Sequence, residues 1–162
     1  NDNKKLKLKI GGNLLSKDEK YVNNLKQKIE YAGYLDDVEF HPNVGKKEKI
    51  NFYNSIDIFC VPAVYSEVFG LYTIEAMAAG VPLVLPRHGS FIEIVEETST
   101  GILYAPNTIE HLYDALNKII TYKIIYSNYQ KACIPVARQR FDSLVMAKNF
   151  TSAVEPLVKI NL

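Results

Sequence analysis

Residues 56–86 read IDIFCVPAVYSEVFGLYTIEAMAAGVPLVLP, and this stretch decides the fold class. It opens with a nearly continuous apolar run that is stopped by Pro62, which predicts a parallel strand buried on both faces. A helix is predicted from Leu71 to Ala79 with Gly80 at its end, and VPLVLP then predicts a second buried strand. This order of elements is typical of α/β proteins with an open parallel sheet, Rossmann-like, with right-handed crossovers.

The flanking sequence continues the same alternation of short apolar runs and helical periods. LKLKI, VEF and GILYA predict three further strands, at residues 6–10, 38–40 and 101–105. Between them lie segments of helical period, with Ile50 and Tyr53 pointing inward in the helix of residues 46–55. We find no internal repeat and no linker.

Several helix starts and interruptions can be predicted from local chemistry. Three pairs are spaced as capping boxes, in which a short polar side chain and an acid three residues later satisfy free N–H groups. The pairs are Ser16 with Glu19, Ser90 with Glu93, and Asn107 with Glu110. The first box opens a helix whose apolar face is predicted to comprise Tyr21, Val22, Leu25 and Ile29. Near the end of the chain, an interruption is predicted at Pro135 and a last helix is predicted to open at Asp142.

Length and composition predict one globular domain over residues 1–162. The net charge of +1 gives no electrostatic reason to expect nucleic acid, and no apolar run approaches the roughly 20 residues of a membrane span. Cys60, expected to be a buried thiol, and Cys133 share no metal or redox spacing, and the histidines are scattered. These features predict no metal site and favour a reducing, cytoplasmic location.

Two glutamates, Glu67 and Glu75, lie eight positions apart around the loop that follows the first of these strands. In an open parallel sheet, ligands bind outside the carboxyl ends of the strands, which is where this loop lies. Gly70 would let a ligand approach the backbone, and the N–H groups near Gly70, Leu71 and Tyr72 would form an anion site suited to a diphosphate. Because carboxylates accept hydrogen bonds from paired hydroxyls, the arrangement suits a nucleotide sugar.

Simpler explanations exist for both acids. An acid in the first turn of a helix complements the macrodipole by roughly 0.3–1 kcal/mol, which alone would account for Glu75. Glu67 would then be a solvated loop residue. The spacing of the two glutamates leaves these alternatives open.

At residues 66–95 the sequence SEVFGLYTIEAMAAGVPLVLPRHGSFIEIV resembles the signature of the glycosyl transferases group 1 family. Members of that family are retaining enzymes of the GT-B fold, and they carry two glutamates as E-x7-E within E-x-F-G-x-x-x-x-E-A-M-A-x-G-x-P. The matching residues are Glu67, Phe69, Gly70, Glu75, Ala76, Met77, Ala78, Gly80, Pro82, Gly89 and Glu93–Val95. STGILYAPNTIEHLYDAL resembles the family's next segment, and the similarity runs from about Leu6 to the C-terminus.

The resemblance implies the C-terminal, donor-binding domain of a glycosyltransferase, which moves a sugar from a nucleoside diphosphate sugar to an acceptor hydroxyl. Glu75 would hold the ribose diol, and Glu67 would contact the transferred sugar at the catalytic centre. Backbone N–H groups would contact the sugar and the diphosphate; they belong to Phe69, Gly70, Leu71 and Tyr72.

Weaker assignments follow from the same resemblance. The base would stack near the loop HPNV, at Asn43 and Val44, although a turn forced by Pro42 is the favoured explanation of that loop. Gly89 would lie near the donor sugar, and Ser90 replaces the second glycine of the family pattern. For Glu93, helix capping is favoured over the functional role that its place in the family motif implies.

Two departures from the family shape the expected function. We expect this chain to lack the first strand of such domains, together with the Arg and Lys that neutralise the diphosphate. We also expect it to lack the N-terminal acceptor-binding domain. The chain alone is therefore expected to be inactive. GT-B enzymes usually need no metal, so neither a metal nor another cofactor is expected. The full-length protein would be cytoplasmic or peripheral at the inner face of the membrane.

Two other functions stay open on the sequence. One is a GT-B relative such as a sugar-nucleotide epimerase or a phosphorylase, although the cofactor lysine of a phosphorylase is not found. The other is a non-catalytic module that binds nucleotide sugars. The identity of the sugar, the base and the acceptor cannot be predicted from these residues.

Overall fold

The computed structural model describes residues 6–158 and divides the chain into two compact units, residues 1–56 and 57–162. Each unit contains parallel strands and helices, which confirms the α/β prediction. The prediction of one domain concerns the chain as a whole and stays a prediction.

The first unit is built on a parallel strand pair. Strand β1 (Leu8–Gly12) pairs with β2 (Val38–Pro42), so that Leu8 lies opposite Val38 and Gly12 opposite Pro42. Helix α1 (Glu19–Tyr31) connects the two strands, and α2 (Lys46–Asn54) follows β2. Short 3-10 turns at Ser16–Asp18 and Leu35–Asp37 precede α1 and β2.

Two details of the first unit differ from prediction. The capping box of Ser16 and Glu19 is wrong, because Ser16 lies in a 3-10 turn and α1 begins at Glu19 without a side-chain cap. On the predicted apolar faces, Tyr21 and Ile50 are exposed, with 70% and 55% of their surface accessible. Tyr53 of α2 is buried as predicted, and Val22, Leu25 and Ile29 of α1 are half-buried.

The second unit contains a three-stranded parallel sheet in the order β3, β4, β5. Strand β4 (Leu83–Pro86) is central, between β3 (Phe59–Cys60) and β5 (Gly101–Tyr104). The crossover helices are α3 (Leu71–Ala78) and α4 (Ser90–Thr98). Three helices complete the unit: α5 (Ile109–Thr121), α6 (Lys123–Phe141) and α7 (Ser143–Val158).

Burial follows the position of each strand in this sheet. All four residues of β4 are buried, as expected for a parallel strand with neighbours on both sides. Strand β3 is much shorter than the run 56–63 predicts, and both of its residues are half-buried. Among the described residues it pairs with β4 alone, through Phe59 opposite Leu83 and Cys60 opposite Val84, so the expectation of full burial is wrong for this strand.

The apolar core of the second unit joins the sheet to α5 and α6. Val84, Tyr104, Ala115 and Ile119 form a buried cluster, and side chains of α6 pack against it. Both cysteines are free, but the buried one is Cys133 and not Cys60, which is half-buried. Within residues 6–158, no helix combines the length and the apolar character that a membrane crossing requires.

Helix boundaries in the second unit depart from the local signals in two places. Thr108, not Asn107, is the N-cap of α5, where its hydroxyl oxygen accepts a bond from the N–H of His111. Helix α6 continues through Pro135 without the predicted interruption. The prediction that the last helix opens at Asp142 is confirmed, since the Asp142 carboxylate accepts a hydrogen bond of 2.8 Å from the N–H of Leu144.

Candidate functional site

The loop between β3 and α3 carries Glu67 and ends at Gly70, the residue that precedes α3. Gly70 has φ +71° and ψ +55°, a left-handed conformation that glycine adopts without steric cost. A Cβ atom on Gly70 would lie 3.1 Å from Cγ of Glu67 and 3.2 Å from Cε1 of Phe91. The space beside the Gly70 Cα, expected to admit a ligand, is therefore lined by the protein's own side chains. The left-handed conformation and the close side chains explain why residue 70 is a glycine.

The Glu67 side chain is half-buried and held by two hydrogen bonds. Oε1 accepts from the N–H of Val68 at 3.1 Å, and Oε2 accepts from the hydroxyl of Tyr72. The Tyr72 hydroxyl is the largest cause that lowers the pKa of Glu67 below its ordinary 4.5, and N–H groups of Phe69, Val68 and Gly70 act in the same direction. Glu67 is therefore ionised at neutral pH, and the alternative of a freely solvated side chain is wrong.

The backbone of Glu67 is held by the start of α4. Its carbonyl oxygen accepts a hydrogen bond of 2.9 Å from the N–H of Ser90. A Cβ atom on Gly89, which has φ +55°, would lie 2.4 Å from the same carbonyl oxygen. The structure thus brings Gly89 and Glu67 into contact, and the place of Gly89 near a donor sugar stays a prediction.

The capping box of Ser90 and Glu93 is wrong. Gly89 is the N-cap of α4, Ser90 is its first helical residue, and the N-cap makes no side-chain hydrogen bond. The Ser90 hydroxyl oxygen is buried and has no hydrogen-bond partner among the described residues. Glu93 lies exposed in the first turn of α4, so its capping role is removed and its place in the family motif remains.

Glu75 is the fifth residue of α3 and is half-buried. The first turn of α3 contains no acidic residue. Since the stabilising effect of the helix dipole on an acid is confined to the first turn, the dipole alternative does not explain Glu75. Its role toward a ribose stays a prediction.

Asn43 and Val44 belong to the first unit, and the structure gives Asn43 a local role. Asn43 has φ +54°, its Oδ1 accepts from the N–H of Leu14 at 2.8 Å, and its Nδ2 donates to the carbonyl of Leu14 at 3.1 Å. Its amide side chain therefore fixes the loop after β1, and Pro42, the residue before it, is the last residue of β2. Val44 is half-buried, and contact of either residue with a base stays a prediction.

Two residues that the sequence does not mark as site residues, His88 and Asn107, hold the segment after β3. The carbonyl oxygen of Ala63 is 2.9 Å from Nε2 of His88 and accepts a bond of 2.7 Å from Nδ2 of Asn107. His88 also packs its ring on Phe91, with centroids 5.7 Å apart. The available signal was position, since His88 and Asn107 follow β4 and β5 at the carboxyl ends of these strands.

Residues 1–140 match the family described as Glycosyl transferases group 1. The chain belongs to this family. Among residues 6–158, no three His, Cys, Asp or Glu side chains are grouped as a metal ion requires, and the independence from metal that the family implies stays a prediction.

The chain is also similar to a curated protein and to solved structures. The chain is 27% identical over 152 residues to mannosylfructose-phosphate synthase of Agrobacterium fabrum, a match that covers 93% of this chain and 33% of that protein. The crystal structure of Anabaena HepE in complex with UDP and glucose superposes with a TM-score of 0.81 at 23% identity, over 93% of this chain and 40% of HepE.

A third similarity is to a single domain. The C-terminal domain of LpcC, a glycosyl transferase group 1 family protein from Francisella tularensis, superposes with a TM-score of 0.68 at 22% identity, over 80% of this chain and 66% of that structure. These likenesses establish the fold as that of GT-B glycosyltransferases. The chain spans about a third of the length of the synthase from Agrobacterium.

Proposed function

We propose that this chain is the donor-binding domain of a retaining glycosyltransferase, which moves a sugar from a nucleoside diphosphate sugar to an acceptor hydroxyl. One observation carries the proposal: the two motif glutamates flank the left-handed start of α3, with Glu67 hydrogen-bonded in the loop and Glu75 on the helix. The HepE crystal contains UDP and glucose, and the LpcC structure is of a C-terminal domain, which support the same assignment.

The diphosphate of the donor would lie at the first N–H groups of α3. The first four N–H groups of an α-helix lack partners within the helix, and the positive end of the macrodipole favours an anion there. Leu71 and Tyr72 supply two of these groups. When the bond between the anomeric carbon and the diphosphate breaks, these donors would stabilise the negative charge that grows on the leaving group.

The two carboxylates would then serve opposite ends of the donor. Glu75 would accept hydrogen bonds from the ribose diol, and Glu67 would accept them from hydroxyls of the transferred sugar and orient its anomeric carbon. The acceptor oxygen forms the new bond to that carbon as its proton passes to the leaving diphosphate, with configuration retained. The acceptor would be held by an N-terminal domain in the protein that carries this chain.

Calorimetry tests the donor-binding role directly. We expect the chain to bind UDP or GDP, and the corresponding nucleotide sugars, at concentrations of about 1 mM or below. Glu75→Gln should weaken binding about 10- to 100-fold, since a hydrogen bond to a charged group contributes about 1.5–3 kcal/mol. Glu30→Gln, at an exposed position of α1, makes the same chemical change away from the site and should leave binding unchanged.

Two results would count against the proposal as a whole, and a third against the role of Glu75. A folded sample that binds no nucleotide at about 10 mM ligand would remove the donor-binding role. Binding without transferase activity in the protein that carries this chain would favour the non-catalytic module instead. A Glu75→Gln variant that loses stability but not affinity would show that Glu75 is a structural residue.

A further inference from the structure

Tyr72 stands out because its ring and its hydroxyl are both engaged beside Glu67. It is the second residue of α3 and is half-buried. Its ring packs near two aromatic rings, with centroids 6.1 Å from Phe59 and 6.4 Å from Phe91. The phenolic oxygen therefore projects from a packed ring, with little freedom to move.

The hydroxyl of this ring donates to Oε2 of Glu67. The other carboxylate oxygen, Oε1, is held by the N–H of Val68, and the Glu67 carbonyl is held by the N–H of Ser90. The backbone of Glu67 is thus fixed by α4 and its carboxylate by α3. A glutamate side chain has three rotatable bonds, so such contacts at both ends select one orientation of the carboxylate.

We propose that Tyr72 is a positioning residue, whose hydroxyl holds the Glu67 carboxylate in the orientation in which it meets the transferred sugar. This inference rests on the proposed function, and it assigns the Tyr72 side chain a role beyond that of its backbone N–H. A one-ångström error in the position of a catalytic group can cost about 100-fold in rate, so a fixed carboxylate has a direct effect on turnover.

The protonation states of the pair agree with this role. Burial, and next the hydrogen bond and the charge of Glu67, raise the pKa of Tyr72, so the phenol keeps its proton. The same hydrogen bond lowers the pKa of Glu67. At neutral pH the phenol is therefore the donor and the carboxylate is the acceptor.

The first test is a carboxyl-carbon NMR titration of Glu67 in this chain. Tyr72→Phe keeps the packed ring and removes the hydroxyl, so the pKa of Glu67 should rise toward its ordinary 4.5. Tyr113→Phe removes an exposed hydroxyl from α5 and should leave the titration of Glu67 unchanged. An unchanged titration in Tyr72→Phe would overturn the contact on which the inference rests.

The second test measures turnover in the protein that carries this chain. Tyr72→Phe should lower kcat about tenfold or more, leave the KM for the donor within about twofold, and move the acid limb of the kcat profile to higher pH. In a Glu67→Gln background the same change should have little further effect, because the two residues act as one unit. Additive losses, or a change confined to KM, would overturn the positioning role.

The outcomes also separate this inference from the proposed function. If the wild-type chain binds no nucleotide sugar, the proposed function fails, whatever the titration shows. If wild type binds and turns over, and Tyr72→Phe does the same at the wild-type rate, only the positioning role fails. A lowered kcat together with a raised pKa of Glu67 supports both.

Discussion

The backbone of Glu67 leaves room for no side chain at Gly89. A Cβ atom there would lie 2.4 Å from the carbonyl oxygen of Glu67 and 2.8 Å from its nitrogen, distances at which the backbone must move. The adjacent N–H of Ser90 donates to that carbonyl oxygen at 2.9 Å. Gly89, in the crossover that follows β4, therefore fixes the position of the loop that carries Glu67.

Gly89→Ala should destabilise the chain and loosen Glu67 at the same time. Gly89 has φ +55° and ψ −149°, a region that residues with a Cβ atom rarely occupy, and the clash is with backbone atoms that cannot rotate away. We expect a loss of about 2 kcal/mol or more in the free energy of unfolding, measured in urea, and weaker nucleotide binding.

Gly12→Ala is the matched control for this substitution. A Cβ atom on Gly12 meets nothing within 4 Å, so its effect should stay within about 0.5 kcal/mol. Equal unfolding midpoints for the two variants would contradict the packing described for Gly89.

The pH dependence of stability should report the hydrogen bonds of Glu67. Its pKa in the folded state lies below the ordinary 4.5, chiefly because of the Tyr72 hydroxyl, so the unfolded chain binds the proton more readily. The stabilisation is therefore fully present above pH 4.5 and is lost as the pH falls through the folded value. We expect the difference in free energy of unfolding between wild type and Glu67→Gln to be constant from about pH 7 to 5 and to become smaller at lower pH.

Urea midpoints at a series of pH values measure this gap. In the Tyr72→Phe background the narrowing should be smaller, because the main cause of the lowered pKa is gone. If the difference in free energy of unfolding at about pH 3 equals that at neutral pH, the Glu67 carboxylate does not accept these hydrogen bonds in solution.

The strand, loop and helix order around the site could be predicted from the sequence because each element has a strong local signal. VPLVLP is apolar enough for a buried strand, and β4 is indeed buried throughout. Gly80 follows α3 in a left-handed conformation, at φ +78°, as the predicted helix end requires. The E-x7-E spacing then places one glutamate on the loop and the other on the helix.

The contacts of the site could not be predicted, since they depend on segments distant in sequence. Ser90 and Asn107 have the spacing of helix caps, but Gly89 and Thr108 are the N-caps. Tertiary contacts account for both differences: the N–H of Ser90 bonds to Glu67, and the amide of Asn107 bonds to Ala63. Similarly, the length of β3 depends on which of its residues pair with β4. A local sequence pattern carries no information about that pairing.

Asn107→Asp distinguishes the cap predicted from sequence from the contact in the structure. Aspartate caps a helix about as well as asparagine, so a cap at Asn107 would make the change nearly neutral. In the structure Nδ2 of Asn107 donates to the Ala63 carbonyl at 2.7 Å, and a carboxylate cannot donate that bond. We therefore expect Asn107→Asp to cost about 1 kcal/mol in urea unfolding.

Asn117→Asp, on α5, is the control, because Oδ1 of Asn117 accepts a hydrogen bond from the Thr121 hydroxyl, and aspartate keeps that acceptor. Thr108→Ala should cost about 1 kcal/mol through loss of the true cap. A neutral Asn107→Asp together with a neutral Thr108→Ala would place the cap where the sequence pattern suggested.

Asn43 can be tested for structure and for base binding with the same two variants. Asn43→Ala loses both side-chain bonds to Leu14 and keeps a Cβ atom at φ +54°, whereas Asn43→Gly loses the bonds but relieves the backbone. We expect the alanine variant to lose about 1–2 kcal/mol in urea unfolding and the glycine variant to lose less.

If Asn43 also contacts the base, both variants should bind UDP more weakly by a similar factor, since both lack the amide. Wild-type UDP affinity in the glycine variant would leave Asn43 as a loop-fixing residue alone, and equal stability of the two variants would contradict the left-handed backbone at this position.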